Sequence, residues 1–444
     1  MSKLIGRVLA TEKTPTTIDE FNFWTNSDLQ LHAFDIVKVE RFDGSFTFGV
    51  IENISHITDA QSFLTNFISS DFGDVGIDAP TLRVGMNFAK AKVAFNNCNN
   101  YTPAHNDDKV YLATAGEITE ALGLQDIENP LVCGSLKMYE GTSDEVVLPV
   151  HLNSKFLLGP EGAHLNISGI SGLAAKTSYA MFLMKSIQDQ YLANTDDIDD
   201  SVAFVIFNVK SCDLMAIDKE NDFDGNSDER AKTLEEYEKI GLLAEPFKNV
   251  KYYIPYSDSK AAKSSSYLHK DYIDKYLEDE QLKKFKYVYA DDKENIEMMF
   301  SNIDDSSQTM ESIISKVVDK DDPDFSHLDT WADFLDKVSE KSLKGSGNNK
   351  NGNEISVLSW RKFKRIVRKA LQDDMFAQRV VTQDNECRLA DELKKIKKNE
   401  VCVIDIAKLP EDKQSFVFGD AVRTIYNLKL GEYDMNLMFL HPRV

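Results

Sequence analysis

Short apolar runs separated by polar turns dominate the first 150 residues. Four of these runs are rich in β-branched and aromatic side chains, and several alternate apolar with polar positions as a half-buried strand does. They span residues 5–11, 21–24, 33–39 and 46–51. Asp43 and Gly44 lie between the last two runs and give a strong hairpin signal, and residues 59–68 predict one helix. The pattern therefore predicts a small β-barrel or sandwich with one helical insertion.

The pattern changes at residue 163. Residues 163–168 predict a strand, and residues 179–192 predict a helix with one apolar face. Residues 202–209 form a nearly continuous apolar run, as expected of a strand that is buried on both faces. A strand, a glycine-containing turn, a helix and a second strand make a βαβ unit, so this part of the chain predicts a parallel sheet.

Residues 229–385 are mostly polar and show helical periodicity. The clearest helical stretches are 230–240, 271–284, 331–342 and 357–378. Residues 344–353 are low in complexity and predict a flexible loop. Because residues 400–406 return to the buried-strand pattern, the α/β domain resumes there and the helical block is predicted to be an insertion within it. The predicted boundaries divide the chain into residues 1–150, 151–228, 229–385 and 386–444.

Composition narrows the classes of protein that the chain can belong to. Its 444 residues are 42% hydrophobic, enough for a sizeable core, and allow about three domains. The 51 basic and 73 acidic residues leave a net charge of −22, which excludes a simple cationic protein that coats nucleic acid. Five cysteines without a C-x-x-C pair suit a reducing cytoplasm. No apolar run reaches the ~18 residues of a membrane span, so we predict a cytoplasmic protein without a membrane partner.

Lys176 and Thr177 carry the strongest chemical signal. In a phosphate loop, G-x-x-x-x-G-K-[ST] joins a strand to a helix: backbone N–H groups surround the phosphates, the lysine reaches the outer phosphates, and the hydroxyl binds Mg²⁺. Here Gly169 and Gly172 lie seven and four positions before Lys176, so the loop is one residue longer than the pattern. The alternative is a βα turn whose small residues only allow the helix to pack on the strand.

A resemblance to a known family extends this interpretation. Residues 5–8 and 21–24, and then residues 157–169 leading into Lys176-Thr177-Ser178, resemble the HerA family of DNA-translocating ATPases. Residues 208–214 are similar to the end of the post-loop strand in HerA and FtsK relatives. The resemblance covers nearly the whole chain. It implies an α/β fold in which an N-terminal β-barrel assembly domain precedes a RecA-like P-loop motor domain that contains the helical insertion.

The same resemblance implies a site and partners. ATP and Mg²⁺ are the expected cofactors, with Lys176 as a catalytic residue and Thr177 as the metal ligand. The expected nucleotide-binding residues are Gly169, Gly172, Ala174, Ala175, Lys176, Thr177 and Ser178. The family forms hexameric rings that thread duplex DNA and work with a partner nuclease or another effector. We therefore expect a homo-oligomer, most simply a hexamer, that binds DNA and such a partner.

The second half of the motor departs from the family pattern. A Walker B element is an apolar strand that ends in adjacent acidic residues; residues 401–405 fit it loosely, with Asp405 as the catalytic carboxylate, but Ile406 follows. In the family a strand of this kind precedes the Walker B strand, and the sequence stops near where that strand should begin. We expect either a truncated form or a protein that has lost hydrolysis. Weak ATP–Mg²⁺ binding with slow turnover is the prediction, and a non-hydrolysing scaffold subunit is the alternative.

Two clusters of basic residues stand out in this acidic chain. Six cations crowd one short helical stretch: Arg361, Lys362, Lys364, Arg365, Arg368 and Lys369. A second cluster comprises Lys394, Lys395, Lys397 and Lys398. Each cluster allows two interpretations, namely contact with nucleic-acid phosphates or a solvated face that pairs with acidic neighbours.

Overall fold

A computed structural model describes most of the chain. The described residues are 3–26, 28–69, 71–73, 76, 84–158, 163–170, 175–193, 202–223, 225–257, 265–300, 309–343, 355–376 and 385–431. The chain divides into two compact units. The first comprises Met1–Ser186 and Phe223–Ala244, and the second comprises Ile187–Asp222 and Glu245–Val444. The predicted domain boundaries at residues 150, 228 and 385 stay predictions.

The first unit contains a closed barrel of six antiparallel strands. Its strands are β1 (Leu4–Leu9), β2 (Glu20–Thr25), β3 (Ile36–Glu40), β4 (Phe46–Thr58), β5 (Gly85–Asn96) and β6 (Lys109–Leu112), in the order β1-β2-β5-β4-β3-β6. Pairing of β6 with β1 closes the barrel. The predicted hairpin joins β3 to β4, with Glu40 opposite Phe46 and with Gly44 in the left-handed region at φ 82°. Of the two predicted alternatives, the barrel is confirmed.

Alternating inward side chains fill the barrel. Val8, Phe21, Phe23, Val39 and Phe48 are buried in its core. A Cβ at Gly49 would lie 2.7 Å from the Phe21 ring, so only glycine allows this close approach of strand and ring. The remaining elements of the unit are β7 (Pro130–Met138), β8 (Val146–Asn153), α1 (Phe63–Ser69), α2 (Ala115–Ala121), α3 (Lys155–Leu158) and, later in the chain, α5 (Ser227–Lys239), with 3₁₀ turns at Asp71–Gly73 and Leu124–Asp126. Between α3 and α5 in sequence, α4 (Ala175–Ala193) runs from the first unit into the second.

The second unit is built on a five-stranded parallel sheet. Its strands are β9 (Phe204–Asn208), β10 (Val250–Pro255), β11 (Leu282–Phe285), β12 (Glu386–Cys387) and β13 (Val401–Asp405), in the order β12-β11-β10-β13-β9. The helices are α6 (Lys270–Glu278), α7 (Tyr289–Asp292), α8 (Thr309–Val318), α9 (Trp331–Lys341), α10 (Val357–Ala370), α11 (Leu389–Leu393) and α12 (Glu411–Lys429), with a 3₁₀ segment at Lys293–Phe300. Tyr253, Phe285 and Ile404 of the sheet share one core with Trp331 and Trp360 of the helices. The predicted mixed α/β content with a parallel sheet is confirmed.

Two expectations from the sequence pattern are corrected by the structure. Residues 163–170 contain no strand, although residues 163–168 alternate apolar with polar positions. Leu165 is 50% exposed and Ile170 is 78% exposed, and such a pattern forms a strand only where a neighbouring strand accepts its hydrogen bonds. The block at residues 229–385, which is predicted to be largely helical, also contains β10 and β11, and these two strands lie in the middle of the sheet.

Candidate functional site

The first part of the predicted site lies at the N-terminus of α4. Lys176, Thr177 and Ser178 are in the first turn of this 19-residue helix, and all three are exposed. The aligned peptide dipoles place partial positive charge at this end of the helix, which favours an anion. A Cβ built on Gly169 would lie 3.4 Å from Cγ of Lys176, so the aliphatic part of Lys176 packs against the Gly169 backbone. The structure therefore brings Gly169 and Lys176 together.

The rest of the predicted loop is only partly described. Gly172 and Ala174 lie outside the described residues, and Ala175 begins α4. Because residues 163–170 contain no strand, the strand that precedes the loop in a phosphate-loop motif is not present in this stretch. The predicted strand–loop–helix unit is thus wrong in its first element, and the helix begins four residues before the predicted start at residue 179.

Asp405 occupies the carboxyl end of β13 in the second unit. It pairs with Asn208, the last residue of the adjacent strand β9. Its Oδ1 accepts hydrogen bonds from Nδ2 of Asn208 at 2.8 Å and from the Ala407 N–H at 3.2 Å, and its Oδ2 accepts one from the Ser266 hydroxyl. Asp405 is only 1% exposed. Both carboxylate oxygens therefore already have partners from within the unit.

Burial dominates the electrostatics of Asp405. Removal from water raises the pKa of its carboxyl above the ordinary value, and the hydrogen bonds from Ser266 and Asn208 act in the opposite direction. Ile406 follows Asp405 and is itself buried, with its N–H donating to the carbonyl of Asn208 at 2.9 Å. No acidic residue is adjacent to Asp405 in sequence, so β13 does not end in the pair of adjacent acidic residues that a Walker B strand carries. The hydrogen bonds of Asp405 and Ile406 to Asn208 join the ends of β9 and β13.

Polar and cationic groups surround this strand end. Asn208 Nδ2 also donates to the Ser211 carbonyl at 2.8 Å, which holds the turn that follows β9. Lys408 donates to the Ser266 carbonyl at 3.4 Å and places its ammonium 5.3 Å from the centre of the Tyr267 ring. The carboxyl ends of parallel strands are where α/β proteins commonly bind ligands. Lys408 is exposed, so a cationic side chain lies at this edge of the sheet.

Sequence reasoning missed a second polar cluster on the same sheet. Lys286 follows β11 and forms an ion pair with Glu386 of β12, and both side chains are almost fully buried. The Lys286 ammonium also lies 4.8 Å from the centre of the Tyr256 ring. Arg388, two residues after Glu386, donates to Asp292 at 2.6 Å. The pairs are about 100 residues apart in sequence, so no local pattern could have indicated them.

Within the described residues, no three His, Cys, Asp or Glu side chains are grouped so that they could hold a metal ion. No helix in the described part of the chain is both long and apolar enough to cross a membrane. Lys176 belongs to the first compact unit and Asp405 to the second.

Neither a scan against protein-family models nor a comparison with curated protein sequences gives a match for this chain.

Proposed function

We propose that the chain is a nucleotide-binding, HerA-like subunit of a ring ATPase, which binds ATP–Mg²⁺ and engages DNA together with a partner nuclease or other effector. The observation that carries the proposal is the start of α4. There an exposed lysine and two exposed hydroxyl side chains stand at the positive end of a long helix, and the glycine backbone lies beside the lysine. These groups suit a nucleotide phosphate and its metal ion.

The order of the architecture supports the same proposal. A closed β-barrel precedes an α/β unit with a parallel sheet, which is the order that the resemblance to HerA implies. In this proposal Lys176 contacts the outer phosphates, and Thr177 supplies an oxygen to Mg²⁺. Gly169, Gly172, Ala174, Ala175 and Ser178 complete the loop around the phosphates. The assembled form is a homo-oligomer, most simply a hexamer.

One specific observation favours a second function, that of a non-hydrolysing scaffold in the same kind of complex. Asp405 is buried, both of its oxygens accept hydrogen bonds, and a buried isoleucine follows it. Hydrolysis needs a positioned water and charge stabilisation in the transition state, whereas affinity needs only the electrostatic contacts to the phosphates. We therefore expect ATP to be bound weakly and turned over far more slowly than by a complete member of the family.

Calorimetry with ATP–Mg²⁺ tests the proposed nucleotide binding at the start of α4. Lys176→Ala removes one charge-assisted contact to phosphate, so the dissociation constant is expected to rise about 10- to 100-fold. Lys232→Ala is the matched control, because Lys232 is an exposed lysine on α5 of the same unit. Equal binding by wild type and Lys176→Ala would show that α4 is not the site. Failure of the wild type to bind would overturn the proposal.

A phosphate-release assay tests the expected slow hydrolysis, and light scattering on the same sample tests the proposed homo-oligomer. Slow release that Asp405→Asn leaves unchanged is the expected result and favours the scaffold function. Rapid release that Asp405→Asn abolishes would instead make Asp405 the Walker B acid. A monomeric mass at micromolar concentration, with and without nucleotide, would contradict the predicted homo-oligomer.

A further inference from the structure

The helix α10 has two opposite faces of different chemistry. Trp360, Phe363 and Val367 are buried and belong to the core of the second unit. At 100° per residue these positions centre on one side of the helix, and the cations centre roughly 150° around the helix axis from them. Those cations are Arg361, Lys362, Lys364, Arg365, Arg368 and Lys369, called here the α10 stripe. Because the core fixes one face of the helix, the stripe is held outward.

Most of the α10 stripe has no acidic partner in the described part of the chain. Arg361, Lys364, Arg365, Arg368 and Lys369 form no ion pair with any described residue, and Arg361 donates only to the carbonyl of Ser342, at 3.1 Å. Three described arginines elsewhere behave differently. Arg7, Arg41 and Arg388 each form an ion pair with an aspartate. The sequence allowed two interpretations of this cluster, and one of them was a solvated face that pairs with acidic neighbours. That interpretation therefore does not fit these five cations.

The second basic cluster contrasts with the stripe. Lys394 forms an ion pair with Asp391 at 3.7 Å. This cluster follows the five-residue helix α11, so its lysines are not arranged along one helix face. A row of five cations along one helix, without an ion pair to any described residue, is thus found on α10 but not in the second cluster.

Such a row destabilises its own helix. Arg361 and Arg365, and Arg365 and Lys369, are like-charged neighbours at i and i+4, and each such pair costs about 0.2–0.5 kcal/mol. Since the chain carries a net charge of −22, acidic residues are abundant, yet none of those described neutralises these groups. An external polyanion would relieve the repulsion along the stripe. The charge pattern is complementary to such a partner.

We propose that the α10 stripe binds the phosphate backbone of duplex DNA. Arg361, Arg365 and Arg368 rise by roughly 10 Å along the helix axis, and about three phosphates of one strand rise by the same distance along the axis of a DNA duplex, at ~3.4 Å each. Three of the eleven arginines of the chain lie in these eight residues, and the guanidinium fork suits phosphate oxygens better than an ammonium does. Lysines beside them add charge.

The stripe is suited to backbone contact without sequence readout. Residues 357–370 contain no Asn, Gln, Asp or Glu, the side chains that most often join arginine in reading base edges. Contacts to phosphate position a protein on DNA but carry no sequence information. The inference rests on the proposed function, since DNA is the polyanion that a HerA-like subunit would engage. It assigns that contact to a helix remote in sequence from the nucleotide loop.

Fluorescence anisotropy with a fluorescein-labelled 20-base-pair duplex, measured on the full chain from 50 to 200 mM NaCl, tests this assignment. The stripe variant combines Arg361→Gln, Arg365→Gln and Arg368→Gln. Each phosphate contact contributes about 0.9 to the steepness with which the logarithm of the association constant falls against the logarithm of the salt concentration. Loss of three contacts therefore lowers this steepness by about 2.7 and raises the dissociation constant roughly 500-fold at 0.1 M salt. The corresponding triple Arg→Lys variant keeps the charge and is expected to retain most of the slope. The control replaces three exposed lysines of the same unit with glutamine, namely Lys270, Lys275 and Lys320.

The outcomes separate this inference from the proposed function. If the wild type binds the duplex and the stripe variant binds with an unchanged slope, the assignment to α10 is wrong while DNA engagement stands. If the wild type does not bind the duplex at all, both fail. If the stripe variant loses DNA binding while calorimetry detects no ATP binding to the wild type, the assignment of DNA binding to the α10 stripe is supported and the proposed nucleotide binding is refuted. If the stripe variant loses self-association by light scattering but keeps DNA binding, the partner of α10 is another copy of this acidic chain, and the assignment is overturned.

Discussion

Asp420 on α12 is a carboxylate that we expect to destabilise the folded protein at neutral pH. It is 3% exposed, and its Oδ1 accepts a hydrogen bond from Nδ2 of Asn295 at 2.7 Å. Burial raises the pKa of its carboxyl from about 3.8 to about 6, and the nearby carboxylate of Asp292 adds to this rise. The hydroxyl of Tyr287 and the guanidinium of Arg423 lower the pKa of Asp420 but do not offset burial.

The direction of the pH effect follows from proton binding. Between pH 3.8 and pH 6 the folded protein holds a proton on Asp420 that the unfolded chain has released, so the free energy of unfolding falls as the pH rises through this window. A pKa difference of this size corresponds to about 3 kcal/mol once the pH exceeds 6, because one pKa unit is worth ~1.36 kcal/mol. Asp420→Asn supplies a neutral amide that can still accept from Asn295. We expect this variant to be more stable than the wild type by about 1–3 kcal/mol at pH 7.5.

Urea denaturation from pH 5 to pH 8 measures the difference. Tryptophan fluorescence reports on the relevant core, since Trp331 and Trp360 are buried in it. The advantage of Asp420→Asn over the wild type should grow as the pH rises from 5 to 7 and then level off. Asp274→Asn, at an exposed aspartate on α6, is the matched control and should change little. Equal pH dependence of wild type and Asp420→Asn, or a variant that is less stable at pH 8, would refute the reasoning.

Two further predictions concern buried polar groups. Glu386→Gln leaves the Lys286 ammonium buried without a counter-charge and should lower the free energy of unfolding by about 3–5 kcal/mol in urea titrations. Replacing both partners with apolar residues should recover most of this loss, and a single variant within 1 kcal/mol of wild type would contradict the prediction. Tyr139→Phe removes a hydroxyl that accepts from the Ala113 N–H at 2.9 Å in the barrel and should cost about 1–3 kcal/mol in thermal unfolding followed by circular dichroism. Tyr101→Phe, at a half-exposed tyrosine, should have almost no effect.

Elements with a clear local pattern could be predicted from the sequence. Alternating runs predicted β1 and β2, and the Asp43-Gly44 turn predicted the hairpin between β3 and β4. The continuous apolar run before Asn208 predicted β9. The helix α9 was predicted within one residue at its end, because Thr330 caps its start and its apolar residues recur at helical spacing. In each case the side chains that decide the structure are neighbours in sequence.

Elements that depend on distant partners could not be predicted in this way. Residues 163–168 show an alternating pattern but form no strand, whereas Val250–Pro255 forms a central strand inside a polar, helical block. A short apolar run fits either a strand or a helix, and the choice is made by the chain that pairs with it. For β10 the pairing strands are β11, about 30 residues later, and β13, about 150 residues later.

The same distinction applies to the candidate site. The sequence by itself predicted a helix that begins shortly after Lys176 and Thr177 and a strand that ends near Asp405, because both elements follow from local periodicity. Only the tertiary structure showed that Asp405 is buried and already hydrogen-bonded by Asn208 and Ser266, which lie 197 and 139 residues away. It also showed which face of α10 lies outward. Burial and partners arise when distant segments meet, so sequence determines which groups are available and folding decides which of them remain free to bind.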